Sequence, residues 1–212
     1  MTHLRMLAGM AVLAVALVGA SQAAAGGNGK GVAPLTGETL AASELPPVGS
    51  STVTGTCNPL TNSTFDFTVT GTATGPYAGT FTESGSFTVG PVPMPGLISF
   101  DSTFTITSPQ GTVTGTKTFT GPLNVGFCGL AAFPTSLNGH SIQGTLSYTA
   151  QITTPKGSGT DSGTSVVTYQ DSRLRGLGNG FSFDENFTSA AAPPCDDDDD
   201  GDNGDDCDDD EQ

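Results

Sequence analysis

The chain has no tryptophan, and its six Lys and Arg together stand against twenty-one Asp and Glu in 212 residues. Each shortage removes a class of function. So few cations exclude nucleic acid as a partner, because neutralising phosphates with Lys and Arg supplies most of that affinity. Without Trp, and with only Tyr77, Tyr148 and Tyr169, the aromatic platform on which sugar rings often stack is thin. Beyond residue 25 the single histidine is His140, too little for a histidine-rich zinc centre. Thr160-Asp161-Ser162-Gly163 superficially matches a protease serine turn, but its first residue is Thr and His140 lies too close upstream for that triad order. The four cysteines, at 57, 128, 195 and 207, never approach the close paired spacing of zinc ligands. No apolar run reaches the roughly 20 residues of a membrane-spanning helix.

The longest such run, Met6 to Gly19, follows Arg5 and precedes the small residues Ala20 to Ala25. That order predicts a cleaved secretory signal over 1–25, and hence an extracellular protein. An even number of cysteines in an exported chain predicts disulfides. Four cysteines allow three connectivities; the separation of body from tail favours Cys57 with Cys128 and Cys195 with Cys207.

Residues 26–51 are rich in Gly, Pro, Ala and Ser and lack apolar periodicity, which predicts a disordered leader. From 52 to 188 the composition turns to Thr, Gly, Ser, Val and Phe, as expected of an antiparallel β domain. Apolar residues recur there with period two. Phe65, Phe67 and Val69 alternate with Asp66, Thr68 and Thr70; Phe81, Phe87 and Val89 alternate with Thr80, Thr82 and Thr88. Further series run through Ile98, Phe100, Phe104 and Ile106, through Val113 and Phe119, from Ile142 to Ile152, and from Phe181 to Phe187. Ser165 to Tyr169 reads as a shorter, less clear strand.

Pro-Gly turns at 75–79, 108–111 and 154–157 are short enough to make the neighbouring strands antiparallel hairpins. About seven or eight strands with one apolar face each either close into a barrel or stack as a β-sandwich. The hairpin order favours an up-and-down barrel.

Phase then singles out three charges. If Phe81 and Phe87 point inward so does Glu83; Lys117 shares the phase of Val113 and Phe119, and Glu185 that of Phe183 and Phe187. Buried charges must pair or face a wet cavity. Glu83, Lys117 and Glu185 are therefore the candidate ligand-binding residues, unless a β-bulge flips the phase and returns them to solvent.

Residues 189–212 form a Pro-containing linker and an acidic tail: from Asp196 to Gln212 there are eleven Asp and one Glu without a basic residue. Asp196, Asp198 and Asp200 followed by Gly201, and then Gly204-Asp205-Asp206-Cys207-Asp208, resemble the thrombospondin type 3 repeat, with one extra residue between the two glycines. The resemblance covers the tail alone. It implies calcium as the cofactor and Asp196, Asp198, Asp200, Asp205 and Asp208 as its ligands. The same charge density also suits a disordered solubilising tail or attachment to a mineral surface. Taken together, the residues point to a secreted, non-enzymatic binding or surface-interaction protein. The alternative is a small barrel enzyme or ligand carrier that uses the interior charges.

Overall fold

A computed structural model describes residues 32–45, 47–56, 58, 60–91, 97–120, 124–125, 140–171 and 180–190. Its strands are β1 (Thr39–Ser43), β2 (Ser50–Gly55), β3 (Ser63–Thr74), β4 (Gly79–Val89), β5 (Leu97–Ser108), β6 (Gly111–Phe119), β7 (Asn124–Val125), β8 (His140–Thr154), β9 (Gly157–Asp171) and β10 (Phe181–Ser189). Among the described residues there is no helix, so none is long and apolar enough to cross a membrane.

Pairing runs antiparallel from β3 through β4, β5, β6, β8 and β9 to β10, and β1 closes the circle by pairing with both β10 and β3. The result is an eight-stranded up-and-down barrel. β2 is an additional strand on β3, opposite Phe65–Thr70, while β1 takes Thr72–Thr74 of the same strand. The chain thus runs twice along one edge, with a short excursion between. Gly49 ends that excursion at φ 86°, where an added Cβ would lie 1.8 Å from the Thr70 carbonyl oxygen. Only glycine meets that backbone and that approach together.

Period-two alternation puts the apolar residues inside. Phe65, Val69, Phe81, Phe87, Phe104, Ile106, Val113, Leu146, Ile152 and Phe187 are all buried in one core. Rings meet across the lumen, as Phe81 does Phe183 at 5.5 Å and Phe104 does Phe187 at 5.5 Å between centroids. Ile98 breaks the expected phase. Thr88 pairs with Ser99 and Val89 with Leu97, so Ile98 is the extra residue of a β-bulge and turns outward. Phe119, the last residue of β6, is exposed.

Two expectations require correction. The segment 26–51, read as a disordered leader, contributes β1 and the start of β2, and residues 32–38 plug the hairpin end of the barrel. Val32, Leu35 and Glu38 are buried there. The backbone N–H of Leu35 donates to Asp161 at 2.8 Å, and those of Gly37 and Phe187 bind the carbonyls of Phe187 and Glu38. β9 is fifteen residues long rather than the short strand foreseen around Ser165. Its inward positions before Val167 are Asp161, Gly163 and Ser165, small or polar groups that produce no apolar signal.

The outer wall is different in kind. Outward residues align across strands into rows such as Thr82–Thr105–Thr114 and Thr107–Thr112–Thr153, a surface of hydroxyls and methyls rather than the apolar band of a barrel in lipid.

Candidate functional site

Glu83 comes from β4, Lys117 from β6 and Glu185 from β10, three strands that are not neighbours, yet their side chains meet in the middle of the lumen. Inward phase turns each charge into the lumen; the registers and closure of the barrel bring the three together. The Lys117 ammonium donates to Glu83 Oε2 at 2.6 Å and to Glu185 Oε2 at 2.5 Å. All three residues are at most 2% exposed. The Ser102 hydroxyl on β5 donates to the other oxygen of Glu83, Oε1, at 2.7 Å.

Aromatic rings seal the cluster. Lys117 Nζ lies 4.6 Å from the centre of the Phe104 ring and 5.0 Å from that of Phe187, positions that favour a cation over each π face. Phe104 reaches this place because Gly115, two residues before Lys117, has no side chain; an added Cβ would sit 2.5 Å from the ring. Beside Glu83, and lined otherwise by residues such as Val69, Phe87, Val167 and Phe183, is a cavity of about 20 Å³, the size of one water.

Electrostatics at the cluster are unbalanced, with two acids facing one base. Burial alone would pull the lysine down, but Glu185 and Glu83 outweigh it and hold the ammonium more firmly than usual. The Glu185 carboxyl is raised to about 7: burial lifts it most, Lys117 pulls it back and the negative charge of Glu83 adds to the rise. Ser165 lies near enough to favour the ionised form of Glu185, yet neither Ser165 Oγ nor Glu185 Oε1 makes a direct hydrogen bond at good geometry. One side of the glutamate is therefore tightly held. The other is buried and meets no hydrogen-bonding group at good geometry.

A second polar group closes the plugged end. Asp161 Oδ2 accepts from Leu35 N–H, from Tyr148 Oη at 2.9 Å and from Ser189 Oγ at 2.8 Å. Glu38 accepts from the Tyr77 N–H at 2.8 Å through one oxygen, while the other has no partner. Burial raises the Glu38 carboxyl, opposed by the Tyr77 N–H, and burial likewise raises the Tyr148 phenol. Sequence reasoning missed Glu38 and Asp161. The first lay in a segment read as a leader, the second in a strand without apolar periodicity.

Cys57, Cys128, Cys195 and Cys207, and the tail aspartates 196, 198, 200, 205 and 208, lie outside the described residues. Among the described residues no group of three His, Cys, Asp or Glu side chains is placed to hold a metal ion. No protein-family model matches this chain, and no curated protein or solved structure matches it either.

Proposed function

We propose that this protein is an exported, non-enzymatic binding or surface-interaction protein, in which a filled barrel carries its outer wall and its acidic tail towards an extracellular ligand or surface. The single observation behind this reading is the packed lumen. Its interior space beside the charges is about 20 Å³, whereas small-molecule pockets occupy about 300 to 1,000 Å³. Interaction then falls to the outside: a threonine-rich wall and a tail holding twelve of the twenty-one acids. Calcium, bound by Asp196, Asp198, Asp200, Asp205 and Asp208, would bridge that tail to an anionic or mineral surface.

Calcium titration of the full chain by calorimetry tests the tail, with co-sedimentation on calcium phosphate particles as the surface assay. Heat uptake and sedimentation that both vanish when residues 193–212 are removed are the expected result. Unchanged sedimentation without the tail, and no heat at millimolar calcium, would overturn it.

The meeting of Glu83, Lys117 and Glu185 favours a second reading, a ligand carrier or barrel enzyme using these groups. It requires the lumen to open by several side-chain volumes. Native mass spectrometry with small apolar acids distinguishes the two readings, since a carrier retains a stoichiometric ligand and a filled barrel retains none.

A further inference from the structure

The interior cluster has the parts of a condensation reaction. An amine sits between two carboxyl groups, each within hydrogen-bond reach, in a compartment closed by Phe104 and Phe187. The two acids are not equivalent. Glu83 is held at both oxygens, by Ser102 and by Lys117, which fixes its Oε2 against the lysine nitrogen in the position of a proton acceptor. Glu185 is held at Oε2 alone, and Oε1 is buried without a partner. A carboxyl group so placed is poorly solvated as an anion, and its neutral acid form is the better electrophile.

We propose that Lys117 and Glu185 condense into an amide, an internal isopeptide bond joining β6 to β10 across the lumen, with Glu83 as the base. The ammonium of Lys117 passes one proton to Glu83. The freed Nζ lone pair attacks Cδ of Glu185 in its acid form, and a C–N bond forms. The C–O bond to the acid's hydroxyl breaks; that hydroxyl takes a second proton from nitrogen and departs as water. One N–H remains on the amide, and Glu83 keeps the proton it accepted. Ammonium, carboxylate and carboxylic acid thus become amide, carboxylic acid and water, with no change in charge and no oxidant or activated co-reactant.

Three features of the site promote this step. Fixing the reactants side by side replaces an encounter between solutes with an intramolecular reaction, where effective concentrations reach about 10⁵ M or more. The apolar aromatic walls make two buried ions costly and a neutral amide comparatively favourable, whereas bulk water solvates the separate ions and favours them over the amide. The cavity of about 20 Å³ that Glu83 lines can take the one water released. Glu185 also holds its proton up to about 7, so the acid form is present near neutrality. This inference is independent of the proposed surface role, and failure of either leaves the other standing.

The test is the intact mass of the full chain, kept folded for days, then reduced and unfolded, with the N-terminus of the mature chain established. A mass one water below that of the sequence, with tandem mass spectrometry placing the link between Lys117 and Glu185, is expected. The unmodified mass, or a loss of water located anywhere else, including a Lys117 to Glu83 link, would overturn the proposal. Glu83→Gln keeps the shape of the side chain and removes the base; it is expected to slow the link at least tenfold. A link formed at the wild-type rate in that variant would remove Glu83 from the chemistry. Lys117→Met is expected to show the unmodified mass, and a persisting loss of water in it would count against the assignment.

Discussion

Lys117 shows how a single residue can be decided by its surroundings rather than its propensity. Its four-carbon stem reaches the axis of the barrel, and only the paired carboxylates of Glu83 and Glu185 make a buried ammonium tolerable there. Removing one member of such a group leaves the others without compensation. Against wild-type protein in which the link has not formed, Lys117→Met is expected to destabilise the barrel by about 3 to 5 kcal/mol, read as a lowered urea midpoint at unchanged slope. Replacing all three with apolar residues of similar volume is expected to restore the loss or to exceed the wild type by about 1 to 4 kcal/mol. If the triple variant is instead the least stable, the cluster contributes more than charge compensation. The inward direction of these three residues was legible from parity with Phe81, Val113 and Phe183. Their convergence was not, because parity assigns a face and says nothing of height or of which strands oppose each other across a lumen.

At the scale of the element, the segment 32–38 behaves as a plug although its composition resembles a linker. Pro34 and Gly37 deprive it of periodicity, and its anchoring comes from single contacts made to distant strands: Leu35 N–H to Asp161, and the Tyr77 hydroxyl to the Ala33 carbonyl at 2.7 Å. Glu38 gives this end a pH dependence. Its carboxyl is raised in the folded state, so the folded protein holds that proton more tightly than the unfolded chain does. The stabilisation is complete below the ordinary carboxylate range, and it is lost as pH rises through the folded value. Glu185 acts with the same sign between about 4.5 and about 7 in any molecule where it is not yet joined to Lys117. Urea midpoints measured from pH 4 to pH 8 are expected to fall, and Glu38→Gln, which is neutral throughout, is expected to flatten part of that fall. A variant with the wild-type slope would show that Glu38 does not titrate in this window. The hairpins, by contrast, were legible: Pro and Gly fix the turns at 75–79, 108–111 and 154–157 locally, and each does join antiparallel neighbours.

For the whole molecule the decisive contact joins the two ends of the described chain. Thr39 pairs with Asn186, and through β1 the last strand reaches β3. Without β1 the barrel becomes an open sheet whose β3 and β10 edges carry unpaired N–H and C=O groups, a template for association with other chains. Deletion of residues 26–43 is expected to increase the share of oligomers or aggregates on size-exclusion chromatography relative to the full chain. A monomeric, folded product would mean that β2 or a connecting segment seals the seam instead. The same closure, which pairs β1 with β10 from opposite ends of the chain, is expected to make folding slow, on the order of milliseconds to seconds.

Alternation of Phe and Val with Thr was enough to dictate strands, an oily inner face, a hydroxyl outer face and antiparallel order, because side-chain direction along a strand depends only on parity and short turns admit only one sense of pairing. Local chemistry carries that much without any knowledge of the fold. Which strand closes the circle, how residues 32–38 enter its end, and that one lysine meets two glutamates from strands far apart in the sheet were decided only in three dimensions. Each depends on closing loops of up to 153 residues, between positions whose own sequences record nothing of the partner they will find.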